Sequence, residues 1–84
     1  MTESVEFDVM SPGQQETIMC GKKQITLKCG RAPAEVAEGH VYIDPGATVR
    51  IPCGGKVYER YCLSSLDQAA QGDRVAYEID PDEV

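Results

Sequence analysis

Ile18-Met19-Cys20-Gly21-Lys22-Lys23, followed after five residues by Cys29, returns as Ile51-Pro52-Cys53-Gly54-Gly55-Lys56, followed after five residues by Cys62. Both cysteines recur at a period of 33. The register runs on: Ala37 and Gly39 fall opposite Ala70 and Gly72, and Val41-Tyr42-Ile43-Asp44-Pro45 answers Val75-Ala76-Tyr77-Glu78-Ile79-Asp80-Pro81 after a small insertion. This is a duplication covering most of one domain spanning residues 1–84, with repeats at approximately 15–45 and 48–81 and an acidic tail at 80–84.

Working outward from the cysteines, period-two alternation marks strands. Val5-Glu6-Phe7-Asp8-Val9 alternates apolar with acidic, and Ser11-Pro12-Gly13 breaks it. Thr17 to Cys20 and Gln24 to Cys29 flank the Gly21-Lys22-Lys23 turn, with Ile25, Leu27 and Cys29 on one face. Val41 to Asp44 and Thr48 to Ile51 flank the Pro45-Gly46-Ala47 turn, and Val49, Ile51 and Cys53 point inward together. Val57 to Leu63 and Arg74 to Ile79 complete the strands. Ala32 to Gly39 and Ser65 to Gly72 each read as a short helix, the first with Pro33 near its start and the second with a Ser-x-x-Gln capping box, each ending on Gly. Tyr58, Arg60 and Cys62 occupy the face that Ile25, Leu27 and Cys29 occupy in the first copy, and Arg60 is a poor core residue. Its presence implies either a bulge that reorients the strand or a face turned to solvent or to a partner.

The expected fold is therefore mainly β with two short helices: two strand-turn-strand-helix-strand units joined about a pseudo-twofold axis into a small β-barrel, because closure removes sheet edges. Gly72-Asp73-Arg74-Val75, leaving a short helix and entering a strand, resembles the Gly-Asp turn of cradle-loop barrels, the small duplicated barrels that include double-psi forms. The first copy has Gly39-His40-Val41 there, without the Asp. The resemblance implies a barrel fold and no particular activity.

If Gly21-Lys22-Lys23 is a turn, Cys29 lies roughly 16 Å up the strand from Cys20, whereas a disulfide needs Cα atoms within about 7 Å. Bonds or ligand sets should therefore cross between the copies. Three states satisfy this: a structural zinc ligated by Cys20, Cys29, Cys53 and Cys62, two inter-copy disulfides, or four buried free thiols. In the zinc state Lys23 and Lys56 offset thiolate charge; otherwise they are solvated turn residues.

Composition bounds the function. Eighty-four residues with a net charge of −6 and a pI near 4.6 make nucleic acid a disfavoured partner. No apolar run reaches membrane-spanning length. The first ten residues carry Glu3, Glu6 and Asp8 and no basic residue, unlike a signal peptide, so the expected location is the cytoplasm, or a virion if the cysteines are disulfide-bonded. Catalysis finds little support: His40 is the single histidine, the carboxylate pairs Glu3/Glu6 and Asp80/Asp82 lie in terminal segments, and Gly54-Gly55-Lys56 lacks phosphate-loop spacing. The expectation is a small non-catalytic interaction or structural module, a protein-binding regulator or minor virion component, acting as a homo-oligomer. Tyr58, Arg60 and Tyr61 are its expected contact residues. The alternatives are a nucleic-acid-binding regulator using Lys22, Lys23, Lys28, Arg31, Lys56 and Arg60, and an acidic inhibitor that copies DNA's charge.

Overall fold

The computed structural model describes residues 4–64 and 76–84. The described residues form seven strands: β1 (Ser4–Met10), β2 (Gln15–Cys20), β3 (Lys23–Cys29), β4 (His40–Ile43), β5 (Thr48–Cys53), β6 (Lys56–Cys62) and β7 (Ala76–Glu78). They form two sheets, ordered β1-β6-β5-β7 and β2-β3-β4. A core of Met10, Ile18, Ile25, Leu27, Cys29, Ile43, Val49, Ile51 and Cys62 draws on both sheets, and two disulfides, Cys20–Cys53 and Cys29–Cys62, join β2 to β5 and β3 to β6.

A 33-residue shift relates strands of the structure, with boundaries that differ from the sequence expectation. Moving β2 and β3 along by 33 residues lands on the bounds of β5 and β6. The same shift carries Met10 of β1 onto Ile43 of β4, and the Pro12-Gly13 turn onto Pro45-Gly46. The hydrogen bonds follow: Gly13 N–H donates to Cys29 O and Gly46 N–H to Cys62 O, while Cys29 N–H donates to Gln14 O and Cys62 N–H to Ala47 O. The repeated unit is thus strand, Pro-Gly turn, strand, Cys-Gly turn, strand, and it begins at β1. Residues 76–84 lie outside it.

The two units are interlocked. The first strand of each leaves its own hairpin and pairs in parallel with the third strand of the other: β1 with β6, Met10 opposite Cys62, and β4 with β3, Ile43 opposite Cys29. Gly30 N–H accordingly donates to Ile43 O, and Leu63 N–H to Met10 O. Local chemistry permits this exchange. Gly13 and Gly46 hold φ of 84° and 86°, a region closed to most L-residues, so each turn can end one strand and redirect the chain to the other sheet. Gly21 and Gly54, each first in a two-residue hairpin turn, likewise hold positive φ, as a type II′ turn requires.

Several expectations are overturned. The sheets do not close into a barrel, because β7 continues the β5 side of one sheet and nothing among the described residues joins the outer strands of the two sheets. Residues 32–39 form bends and a turn instead of a helix. Ala32 to Glu38 are all exposed, so no apolar face is buried to offset the cost of nucleating so short a helix. The expected helix at 65–72 and the Gly72-Asp73-Arg74-Val75 signature lie outside the described residues. Strand β6 carries no bulge; its register with β5 and β1 is unbroken from Lys56 to Cys62. The acidic segment Pro81–Glu83 is a 3-10 turn, capped by the Asp80 carboxylate accepting from Asp82 N–H, and Ile79 and Val84 pack against the core.

The four cysteines pair as disulfides, and no cluster of metal-ligating side chains occurs among the described residues, which overturns the zinc site. Each pairing brings Cα atoms to 5.5 and 5.2 Å, within disulfide range. Cys29–Cys62 is buried in the core, and Cys20–Cys53 is half-buried at the hairpin ends. Replacing Cys29 and Cys62 together by Ala should lower the unfolding free energy by about 2–4 kcal/mol in denaturant titrations. Replacing Cys20 and Cys53 should lower it less, since only the first pair leaves a cavity in the core.

Candidate functional site

Strand β1 lies at the edge of its sheet, paired on one side only among the described residues. Ser4 N–H donates to Gly55 O, and Met10 O accepts from Leu63 N–H, which fixes the parity of the strand. The even-numbered residues turn their backbone groups toward β6. Val5, Phe7 and Val9 turn theirs outward, and the same three side chains stand on the outer face of the sheet, 50%, 49% and 39% exposed. The free backbone groups and an apolar row thus belong to one set of residues. At one point the edge is blunted: the Asp8 carboxylate accepts the Val9 N–H at 2.8 Å.

Behind this edge, on the inner face, the Arg60 side chain is 1% exposed. Its guanidinium uses all five donors. Nε and Nη2 bond to the two Glu16 carboxylate oxygens at 2.7 and 2.9 Å, Nη2 also to Glu6 Oε2 at 2.7 Å, and Nη1 to the carbonyls of Glu6 and Glu59 at 2.6 and 3.1 Å. Full satisfaction is what allows a charge to be buried here. The bidentate contact with Glu16 ties β6 to β2 of the opposite sheet, and the contact with Glu6 ties it to β1. Glu6 is shared with Lys56, at 2.8 Å, and Lys56 lies 4.8 Å from the Tyr58 ring centroid.

The repeat explains the position. Arg60 corresponds to Leu27 and Glu16 to Val49, and Leu27 and Val49 both belong to the apolar core. One pair of equivalent positions is apolar and its counterpart ionic. Of the residues expected to meet a partner, Tyr58 is half-buried, while Arg60 and Tyr61 are withdrawn, at 1% and 3% exposure. Val5, Phe7 and Val9 were not singled out as contact residues, although the alternation that marks β1 as a strand already placed them on one face. Arg50 and Glu59 approach to 3.4 Å on the outer face, a distance and geometry that leave the Arg50 Nε without a hydrogen bond.

Elsewhere, an open groove of about 510 Å³ runs between residues 36–41 and the C-terminal turn, with Val36, Val41, Ile79 and Val84 beside Glu38, His40, Glu78 and Glu83. His40 has no thiol partner, because every cysteine is in a disulfide. No helix among the described residues is long and apolar enough to cross a membrane.

These features define a class: a two-sheet β protein built from exchanged repeats, stapled by two disulfides, with an apolar edge strand. Compared with known protein families, curated proteins and solved structures, the chain matches none.

Two predictions follow from the ion network. Arg60→Ala should cost about 3 kcal/mol in denaturant unfolding, the low end for a broken buried pair because both carboxylates reach water. The double variant Arg60→Leu with Glu16→Val, which copies Leu27 and Val49, should restore most of that loss. Titration gives the second. Hydrogen bonding to Lys56, and next to Arg60, holds the Glu6 carboxyl below its usual range, and hydrogen bonding to Glu6 raises the Lys56 ammonium above its own. The Glu6 contribution is complete above its unfolded value of about 4.3 and is lost as pH falls through the lowered one. The Lys56 contribution is complete below about 10.4 and is lost as pH rises through the raised one. Glu6→Gln should therefore flatten both limbs of the stability-versus-pH curve.

Proposed function

We propose that the protein is a small, non-catalytic interaction module that accepts an extended segment of a partner protein along the free edge of β1. The observation that carries this reading is the coincidence at Val5, Phe7 and Val9 of outward backbone groups with an exposed apolar row. Addition of a strand satisfies the edge by main-chain hydrogen bonds and covers the row by alternate side chains. Isolated exposed apolar residues are ordinary on any surface; a run of three on an unpaired edge is a feature that proteins usually blunt.

The scaffold suits this task. Two cross-repeat disulfides hold the sheets in register, so the edge strand is presented without a large core beneath it. They also support an oxidising working environment, the cell exterior or a particle surface, in place of the cytoplasm. A virion component fits the same description. Commitment of Lys56 and Arg60 to carboxylates thins the basic group on which nucleic-acid binding would rest, and the net charge of −6 adds to that.

Selection from a random displayed-peptide library tests the reading, with the amide resonances of Val5 and Phe7 as reporters. The Phe7 N–H points away from β6, so Phe7→Pro removes an outward donor without touching the ladder and should leave the melting temperature near wild type. Selected peptides should shift the Val5 and Phe7 amides and lose about tenfold or more in affinity on Phe7→Pro. Peptides that leave those amides unmoved and bind Phe7→Pro equally well would sink the proposal.

A further inference from the structure

Resting on the strand-accepting reading, we infer that the segment taken up by β1 alternates apolar residues with lysine or arginine, and that it comes from a different protein and not from β1 of a second copy. In an added strand, residues directly opposite one another share a face. The outer row, Val5, Phe7 and Val9, calls for apolar residues. The inner row, Ser4, Glu6 and Asp8, is polar and acidic, and at Asp8 it calls for a cation.

The chemistry at Asp8 makes the second requirement specific. Its carboxylate accepts the Val9 N–H of its own strand. A partner strand whose carbonyl takes up that N–H displaces the carboxylate, which then needs a new donor on the same face. An ammonium or guanidinium opposite Asp8 supplies one. Glu6 beside it is half-exposed and already shared between Lys56 and Arg60, so its charge is matched and the demand for a cation falls on Asp8. The net charge of −6 draws a basic partner toward the whole surface.

The same row opposes self-pairing. An antiparallel pair of β1 strands that keeps the apolar rows on one face has three central registers. Centred on Phe7, Glu6 meets Asp8 of the other copy; centred on Glu6, the two Glu6 side chains meet; centred on Asp8, the two Asp8 side chains meet. Each register sets like charges directly opposite one another. The alternation of β1 thus protects the edge against its own copy while leaving it open to a basic strand.

The test uses three blocked heptapeptides against the full chain: Lys-Val-Lys-Phe-Lys-Val-Lys, the same sequence with Thr in place of Lys, and the same with Glu. Titration calorimetry gives affinities, and the Val5 and Phe7 amides report the site. The lysine peptide should bind about tenfold or more tightly than the threonine peptide, the glutamate peptide should bind weakest, and the spread should shrink as salt rises. Asp8→Asn should remove much of the lysine advantage, read as the ratio of lysine-peptide to threonine-peptide affinity for that variant. Equal affinities for all three peptides, with the β1 amides shifted, would overturn the charge requirement and leave strand addition standing. If none of the three moves those amides, strand addition itself fails and this inference with it. Dimerisation of the free protein at neutral pH, by light scattering, that Phe7→Pro abolishes would overturn the exclusion of a second copy.

Discussion

Each disulfide joins a cysteine to its own counterpart in the other repeat, and the rest of the structure depends on that constraint. A bond between equivalent residues must straddle the axis that relates the repeats. Two such bonds, one at the hairpin ends and one in the core, fix both the spacing and the rotation of the two hairpins. The exchanged strands β1 and β4 then close the gap on either side, each completing the sheet of the other repeat. Neither repeat has a complete three-stranded sheet of its own, so the folding unit is the pair. For a chain of this size the arrangement replaces core volume with covalent and topological constraint.

Onto that near-symmetric frame the sequence writes two asymmetries. Arg60 and Glu16 stand at positions equivalent to Leu27 and Val49, so two apolar core residues of the frame are answered by an ion pair. The buried guanidinium contributes little net stability over an apolar substitute, but it joins β1, β2 and β6 through directional bonds, whereas an apolar side chain would tolerate sliding. The second asymmetry is β7, which covers the outer side of β5 and has no counterpart beside β2 among the described residues. The edges of the two sheets are consequently different surfaces, and β1 carries the exposed apolar row.

Much of this was legible in the chain. The strands follow from period-two alternation, and the need for cysteine bonds to cross between copies follows from the distance along a hairpin. The apolar row of β1 was legible as a pattern but not as a surface, because alternation says which residues share a face and not which face is covered. The misreadings have particular causes. The 33-residue period fits two framings, and the one beginning at Gln15 missed that Met10-Ser11-Pro12-Gly13 answers Ile43-Asp44-Pro45-Gly46. Arg60 on an apolar face suggested exposure. The companion signal was Glu16, an acid sharing a face with Ile18 and Cys20, and two opposite charges at two inward positions are better read as partners.

By itself, then, the sequence determined the strands, their turns, the 33-residue repeat and the rule that any cysteine bonds or ligand sets cross it, since alternation, glycine conformation and reach along an extended chain are local properties. The tertiary structure alone decided which cysteine meets which, that β1 and β4 change places, that Arg60 is enclosed by Glu6 and Glu16, and that Val5, Phe7 and Val9 remain outside. Those outcomes turn on contacts between residues as far as 54 positions apart, set by the mutual fit of two sheets.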